Sequence, residues 1–314
     1  MKHEKALAYL AFAIVCTVWG TTYLAIRVAI ESLPVILFPG VRFTIAGLVL
    51  MSIRLAMGDR LPRKKSDWAN LTLIGFLMVG VGNLAVVWAE QWVTSGFAAL
   101  LVGTAPFWMA AMESRREPGP VQKRRVAGML VGFAGVIILV LPELMGSRFD
   151  RNFLLGVIGI QLATIGWNFG SLRSKYHPPQ TSVLMSAALQ MLLGGGIVTI
   201  AGILHGDVDE FRFTTRTLIA FLYLTVFGSI LAYGAYVYAL SKLKASTVSL
   251  YAYINPAVAV FLGWLILDEP LGWNAIAAMA VIFAGVALVQ TAKIRTTAQP
   301  RVAPAILQEE EPVT

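Results

Sequence analysis

"GFAGVIILVL" (Gly132–Leu141) and "IFAGVALVQT" (Ile282–Thr291) say nearly the same thing: Phe133-Ala134-Gly135-Val136 recurs as Phe283-Ala284-Gly285-Val286, 150 residues later. The echo is wider than four residues. Pro106 in "GTAPFW" meets Pro256 in "YINPAV" at the same offset, and "WAEQWVTSGFAALL" (88–101) aligns with "YALSKLKASTVSLY" (238–251). Earlier in the chain the offset is 148: Trp19 meets Trp167, Arg27 meets Lys175, Arg42 meets Gln190 and Gly47 meets Gly195. Glu117-Pro118 and Glu269-Pro270 match at 152. Collinear blocks separated by small indels are what a diverged duplication leaves, so the chain reads as two copies of one unit.

The material of that unit is apolar. Hydrophobic residues make up 57% of the chain and charged residues 13%, and the mean hydropathy is +0.72, well outside the range of soluble domains. Runs of about 20 apolar residues recur along the length, each enough to cross a hydrocarbon core of roughly 30 Å. Ten spans are expected, near 6–30, 34–57, 69–91, 93–113, 126–145, 152–173, 181–204, 215–240, 245–267 and 272–292. Spans three and four nearly touch at "AEQWVTSG" and are read as a tight helical hairpin. No alternating ten-residue strand pattern is present, which excludes a β-barrel. "MKHEK" leads into an apolar run without a small-residue cleavage site, so it reads as a retained first span rather than a signal peptide.

Each half holds five spans, an odd number, so the second half enters the membrane from the opposite side. The expected fold is an all-α integral membrane protein of ten transmembrane helices in two five-helix inverted repeats, residues 1–146 and 147–292, followed by a disordered tail, 293–314. Inverted repeats commonly enclose a substrate site near the midplane and alternate its access by rocking one half against the other.

The net charge of +8 lies in the loops. Lys and Arg concentrate in "RLAMGDRLPRKKSDW" (54–68) and "SRREPGPVQKRR" (114–125), with smaller groups at Arg173/Lys175, Lys242/Lys244 and Lys293/Arg295. Only Arg148, Arg151, Arg212 and Arg216 fall in the opposite loops. That asymmetry puts both termini in the cytoplasm and makes the basic patches topology signals rather than nucleic-acid contacts. The single cysteine, Cys16, rules out an intrachain disulfide and gives no metal-site spacing. No cofactor motif is present.

Charges inside a span are costly and therefore functional suspects. Arg42 lies eight positions after Pro34, about 12 Å along a helix; it either lines the outer cavity, attracting carboxylates, or bonds the backbone of a neighbouring helix. Arg27, nearer the span end, can snorkel to the headgroups. Every Asp and Glu can be placed at a span end, in a loop or in a tail, Glu90 and Glu113 coming closest to the interior, and His3, His177 and His205 lie outside the spans. With no obvious proton carrier, facilitated diffusion is expected unless Glu90 or Glu113 faces the cavity. The cavity lining must then come from aromatic and neutral polar groups near the midplane. Candidate substrate-binding residues are Trp19, Thr22, Tyr23, Arg42, Asn83, Thr104, Trp108, Trp167, Asn168, Gln190, Tyr253 and Asn255. Gln161, Thr164, Tyr223, Tyr233, Tyr236 and Tyr251 fall at similar depth. Aromatic rings suit an apolar side chain or an organic cation. Pro106 and Pro256, at matching places in spans four and nine, are candidate gating hinges near the two-fold axis. Spans five and ten, rich in small residues such as Gly128-x-x-x-Gly132, read as scaffold, and Trp68, Trp92, Trp264 and Trp273 as interfacial belt residues.

The chain resembles the ten-helix drug/metabolite transporters of the EamA type over residues 6–292. The resemblance is carried by "VWGTTYLAIRVAIESLPVILFPGVRFTIAG" (18–47), "TSGFAALLVGTAPFWMAAM" (94–112) with Glu117-Pro118, and "ASTVSLYAYINPAVAVFLGWLILDEPL" (245–271). It implies a bacterial inner-membrane permease, usually an exporter of amino acids, including aromatic ones, related metabolites or toxic cations. A transporter of phosphorylated metabolites or nucleotide sugars, with several cavity cations, and a proton-coupled drug antiporter are the alternatives. The motifs of intramembrane enzymes and of phosphate-loop ATPases are absent. The expected partners are a small-molecule substrate and the lipid bilayer. A monomer is one reading of the assembly, and Gly-rich faces that can pack between protomers keep an oligomer open.

Overall fold

A computed structural model describes residues 2–115, 123–145, 150–268 and 272–290. The pairs Glu117-Pro118 and Glu269-Pro270, Arg148, and the tail expected to be disordered lie outside the described residues. Within them the structure is all-helical. In chain order the rods are α1 (Lys2–Ala29), α2 (Leu37–Ala56), α3 (Lys65–Ala89), α4 (Ser95–Val102, then Ala105–Ser114), α5 (Lys123–Met145), α6 (Arg151–Tyr176), α7 (Val183–His205), α8 (Thr215–Lys242), α9 (Ala245–Val248, then Tyr251–Leu267) and α10 (Trp273–Gln290). Eight of them, all but α5 and α10, are long and apolar enough to cross a membrane. The other two carry shorter apolar stretches, Val126–Gly135 and Trp273–Gly285. Surface side chains such as Leu130, Ile200, Leu204 and Trp273 stand exposed on the outside of the bundle, where a bilayer replaces the water they would otherwise avoid.

Local chemistry sets the ends. Thr94 caps α4 by accepting from Phe97 N, Asp150 caps α6 through Phe153 N, and Ser182 caps α7 through Met185 N, satisfying donors that a helix start leaves open. Gly58 after α2 and Gly206 after α7 both adopt positive φ, 91° and 96°, a conformation that glycine adopts without steric cost; they stand 148 residues apart. The expected hairpin between α3 and α4 is present, turning over Glu90–Thr94.

Two rods are not plain α-helices. Phe76–Asn83 of α3 and Leu224–Leu231 of α8 are π-helical, and their first residues are again 148 apart. A π segment widens the helix and frees carbonyls from their regular partners, and such segments frequently mark functional sites.

The packing is reciprocal. α1 lies against α8 and α9, while α6 lies against α3 and α4. α2 crosses α7, and α5 crosses α10. Both crossings are close enough to need glycine. A Cβ on Gly47 would stand 2.5 Å from Leu192 N, and one on Gly195 would stand 2.6 Å from Thr44 N. In the other crossing, a Cβ on Gly285 would stand 2.4 Å from Gly132 N. These contacts are backbone on backbone, the small-residue packing available to helices in lipid. α4 and α9, expected to meet near the axis, also touch, Gly96 against Val260.

The prolines depart from the expectation of matching interruptions. Pro106 sits in the first turn of a new helix, after α4 breaks at Gly103-Thr104. Pro256 lies inside the helix Tyr251–Leu267, and the α9 break falls earlier, at Ser249-Leu250. Proline is tolerated in a first turn, where its missing N–H has no partner to lose. The two prolines therefore match in sequence but not in local structure.

Candidate functional site

A cavity of about 700 Å³, counting its open mouth, lies between α1, α2, α3, α4, α6, α8 and α9. Of the candidate residues, Trp19, Thr22, Tyr23, Arg42, Asn83, Trp167 and Asn255 line it. So do Phe43, Gly82, Thr164, Gly228, Tyr233 and Tyr251, with aliphatic side chains including Ile26 and Val86 between them.

Its floor is aromatic. Trp19 packs edge-on against Trp167 at 5.2 Å and Tyr251 at 5.1 Å, and tilted against Tyr236 at 5.0 Å. Trp167 in turn meets Tyr233 at 5.9 Å. Each such pair is worth roughly 0.5–1.5 kcal/mol beyond area burial. The ring donors are directed: Trp19 Nε1 donates to Gly228 O at 3.1 Å, inside the π segment of α8, and Trp167 Nε1 donates to Tyr236 Oη at 3.2 Å. The π segments are thus parts of the site. One supplies Gly82 and Asn83 to the wall, the other Gly228 and an acceptor that fixes Trp19. No residue type in the sequence announces a π turn, which is why Gly82 and Gly228 were not among the candidates.

The wall away from the floor holds the charge. Arg42 is only 3% exposed. Its Nη2 donates to Asn83 Oδ1 at 3.0 Å, and its guanidinium stands 4.3 Å from the Phe43 ring centre and 5.7 Å from that of Phe38. Its Nε has no hydrogen-bond partner. Neither sequence reading of Arg42 is complete: it lines the cavity, and its bond runs to a side chain rather than to a neighbouring backbone. Arg27 does not merely snorkel; Nη1 donates to Glu90 O. Glu90 is fully buried, where the sequence allowed an interfacial carboxylate. Neither Glu90 nor Glu113 lines the cavity.

Five candidates lie elsewhere, and their bonds say why. Thr104 and Trp108 both donate to Gln161 Oε1, at 3.1 and 3.2 Å, and Asn168 Nδ2 donates to Ala105 O at 2.9 Å. These three pin α6 to the break in α4 and satisfy polar groups the break exposes. Gln190 is fully buried, donating to Ser186 Oγ at 2.9 Å and Ser174 Oγ at 3.3 Å while accepting from Tyr233 Oη at 3.1 Å. Tyr253 packs on Phe283 of α10, ring centres 5.7 Å apart. Asn255 keeps one edge on the cavity. With its amide oriented to suit its neighbours, it donates to Cys16 O and Tyr251 O, both at 3.1 Å.

The two ends of the bundle carry matching bonds. Arg27, at the end of α1, donates to Glu90 O at the end of α3. Lys175, 148 residues later at the end of α6, donates to Leu240 O at 2.8 Å and Leu243 O at 2.6 Å at the end of α8. Glu90 and Leu240 are 150 residues apart. A cation on the final carbonyls of a helix is favoured by its dipole.

Comparison with known proteins follows the same division. The model of the EamA-like transporter family matches residues 6–141 and again 154–291. The chain is 36% identical over 290 residues to the inner membrane transporter YedA of Escherichia coli, covering 92% of each chain. It is 26% identical over 276 residues to protein PecM of Dickeya dadantii, covering 87% of this chain and 89% of that one. It is 22% identical over 273 residues to the transporter YoaV of Bacillus subtilis. A crystal structure 18% identical in sequence superposes with a TM-score of 0.66, covering 90% of this chain and 95% of the other, a likeness of fold.

Proposed function

The chain belongs to the EamA-like transporter family and is a multi-pass inner-membrane protein, and from that premise we propose that the cavity is the substrate site of a permease for small amphipathic metabolites. Amino acids with aromatic or hydrophobic side chains are the favoured class. The observation that carries this reading is the meeting of Trp19, Thr22, Tyr23, Arg42, Asn83, Trp167 and Asn255 around one cavity. Stacking surfaces and hydrogen-bonding groups there can grip the two ends of such a molecule.

In this reading the protein spans the membrane ten times as two inverted repeats, 1–146 and 147–292, with both termini cytoplasmic. Support comes from the double family match, the paired π segments and the reciprocal packing of α1 and α6. The cavity then lies on the outer side of the aromatic floor. Alternating access exchanges this arrangement for its counterpart, with Pro106 and Pro256 as hinge candidates of unequal character. A site for phosphorylated metabolites is less well supported, because Arg42 is the only lysine or arginine on the lining among the described residues. Arg42 also weighs against organic cations.

Transport down the substrate's own gradient fits a cavity with no carboxylate on its lining among the described residues. Counterflow in proteoliposomes with labelled phenylalanine, leucine, lysine and glutamate tests both points. Phenylalanine and leucine exchange is expected, unaffected by an imposed pH gradient. Uphill accumulation driven by that gradient and abolished in Glu90→Gln would replace facilitated diffusion with proton coupling. The absence of exchange for all four would sink the assignment of substrate class.

A further inference from the structure

The lining of the cavity is electrically one-sided. Among the described residues Arg42 is its only lysine or arginine, and neither a carboxylate nor a histidine joins it. The guanidinium is buried, held at one edge by Asn83 and covered by Phe43 and Phe38. It has five N–H groups, and the Nε–H makes no bond. The nearby cation Arg27 is engaged away from the lining, its Nη1 donating to the backbone carbonyl of Glu90.

We infer that the cavity selects organic monocarboxylates: one anionic carboxylate set against Arg42, and an aromatic or aliphatic body over the Trp19–Trp167 floor. The inference rests on reading the cavity as the transport site. A guanidinium edge matches a carboxylate with two parallel N–H···O bonds. Here Asn83 engages only Nη2, and no other hydrogen bond of the guanidinium is present among the described residues, which leaves it N–H groups for a carboxylate. A single guanidinium on the described lining matches a monoanion better than a phosphate ester of charge near −2. The α-amino group of an amino acid finds no anion in the lining. Its acceptors there are neutral oxygens, among them Thr22 Oγ1 and Asn255 Oδ1, and Asn83 Oδ1 is already engaged by Arg42. The ammonium group is therefore tolerated rather than sought, and a desamino acid such as an arylalkanoate fits at least as well as the amino acid. An arylalkylamine meets the guanidinium with no carboxylate on the described lining to offset it and is rejected.

Equilibrium binding to the full chain in lipid nanodiscs at pH 7 separates these cases. The probes share a phenyl group and a two-carbon chain: 3-phenylpropionate (anion), phenylalanine (zwitterion), 3-phenylpropionamide (neutral) and phenethylamine (cation). The acid is expected to bind at least as tightly as phenylalanine, about tenfold or more above the amide, with the amine weakest. Arg42→Gln should reduce the acid-to-amide ratio by about the same factor. Arg42→Lys, which keeps the charge but not the fork, should reduce it less and serves if Arg42→Gln does not fold. An amine that binds as tightly as the acid overturns the inference and leaves the cavity assignment standing. An acid-to-amide ratio unchanged in a folded Arg42 variant does the same. If none of the four probes binds, the cavity assignment falls and takes the inference with it.

Discussion

Gln161 separates two tryptophans that look alike in the sequence. Its Oε1 accepts from Trp108 Nε1 and from Thr104, so that indole is committed to the break in α4. Trp167 donates instead to Tyr236 and presents its ring to the cavity. Trp108→Phe keeps the packing and loses one hydrogen bond, so it should lower stability by about 0.5–1.5 kcal/mol and leave ligand affinity in place. Trp167→Leu removes stacking surface from the floor and should weaken binding of an aromatic ligand by about 0.5–1.5 kcal/mol. Thermal unfolding and ligand titration of the two variants check the split. Equal loss of affinity in both would return Trp108 to the site.

At the scale of elements, glycine spacing controls how near the helices come. The α2–α7 crossing puts Leu192 N 2.5 Å from the place a Cβ would occupy on Gly47. Backbone cannot step aside as a side-chain tip can, so Gly47→Leu should separate α2 from α7 and prevent a folded, monodisperse product. Gly196, on the same helix α7, has nothing within 4 Å of its would-be Cβ. Gly196→Ala should therefore raise stability by about 0.5–1 kcal/mol, the helical preference of alanine over glycine. Size-exclusion profiles and melting curves of the two variants test this reading. A folded Gly47→Leu protein would mean the crossing is looser than described. Small-residue spacing was legible in the sequence for spans five and ten, and Gly47 and Gly195 stood out there only as a match at offset 148. Which glycine meets which backbone was not legible, because the same pattern serves contacts within a repeat, between repeats or between protomers.

Across the whole molecule the two halves are tied in the loops as well as at the helix crossings. Asp59, after α2, accepts from Arg54 Nε at 2.8 Å and from the hydroxyl of Ser182, which itself caps α7. The Arg54 and Ser182 hydrogen bonds hold the Asp59 carboxyl below its ordinary range. A depressed folded value means that this stabilisation is complete above the unfolded value, near pH 4, and is lost as pH falls through the folded value. The stability difference between wild type and Asp59→Asn should be largest near neutrality and shrink below about pH 4. Melting curves from pH 7 to pH 3 measure it. A constant difference over that range would show that the Asp59 charge does not act.

The sequence by itself determined that the chain is helical and membrane-spanning, because hydrophobic run length is a one-dimensional property that a bilayer converts directly into structure. It also singled out Arg42, Trp19 and Trp167, since a charge or a large ring in an apolar run is conspicuous before any folding. Only the tertiary structure decided which polar groups face empty space. Asn83 and Asn168 are the same residue type at similar depth, yet one borders the cavity and the other closes a helix break. The difference lies in which carbonyls go unpaired when α4 breaks and α3 and α8 widen into π turns. Unpaired backbone must be satisfied by whatever side chain is nearest in space, and that neighbour is set by the packing of seven helices rather than by the order of residues along one.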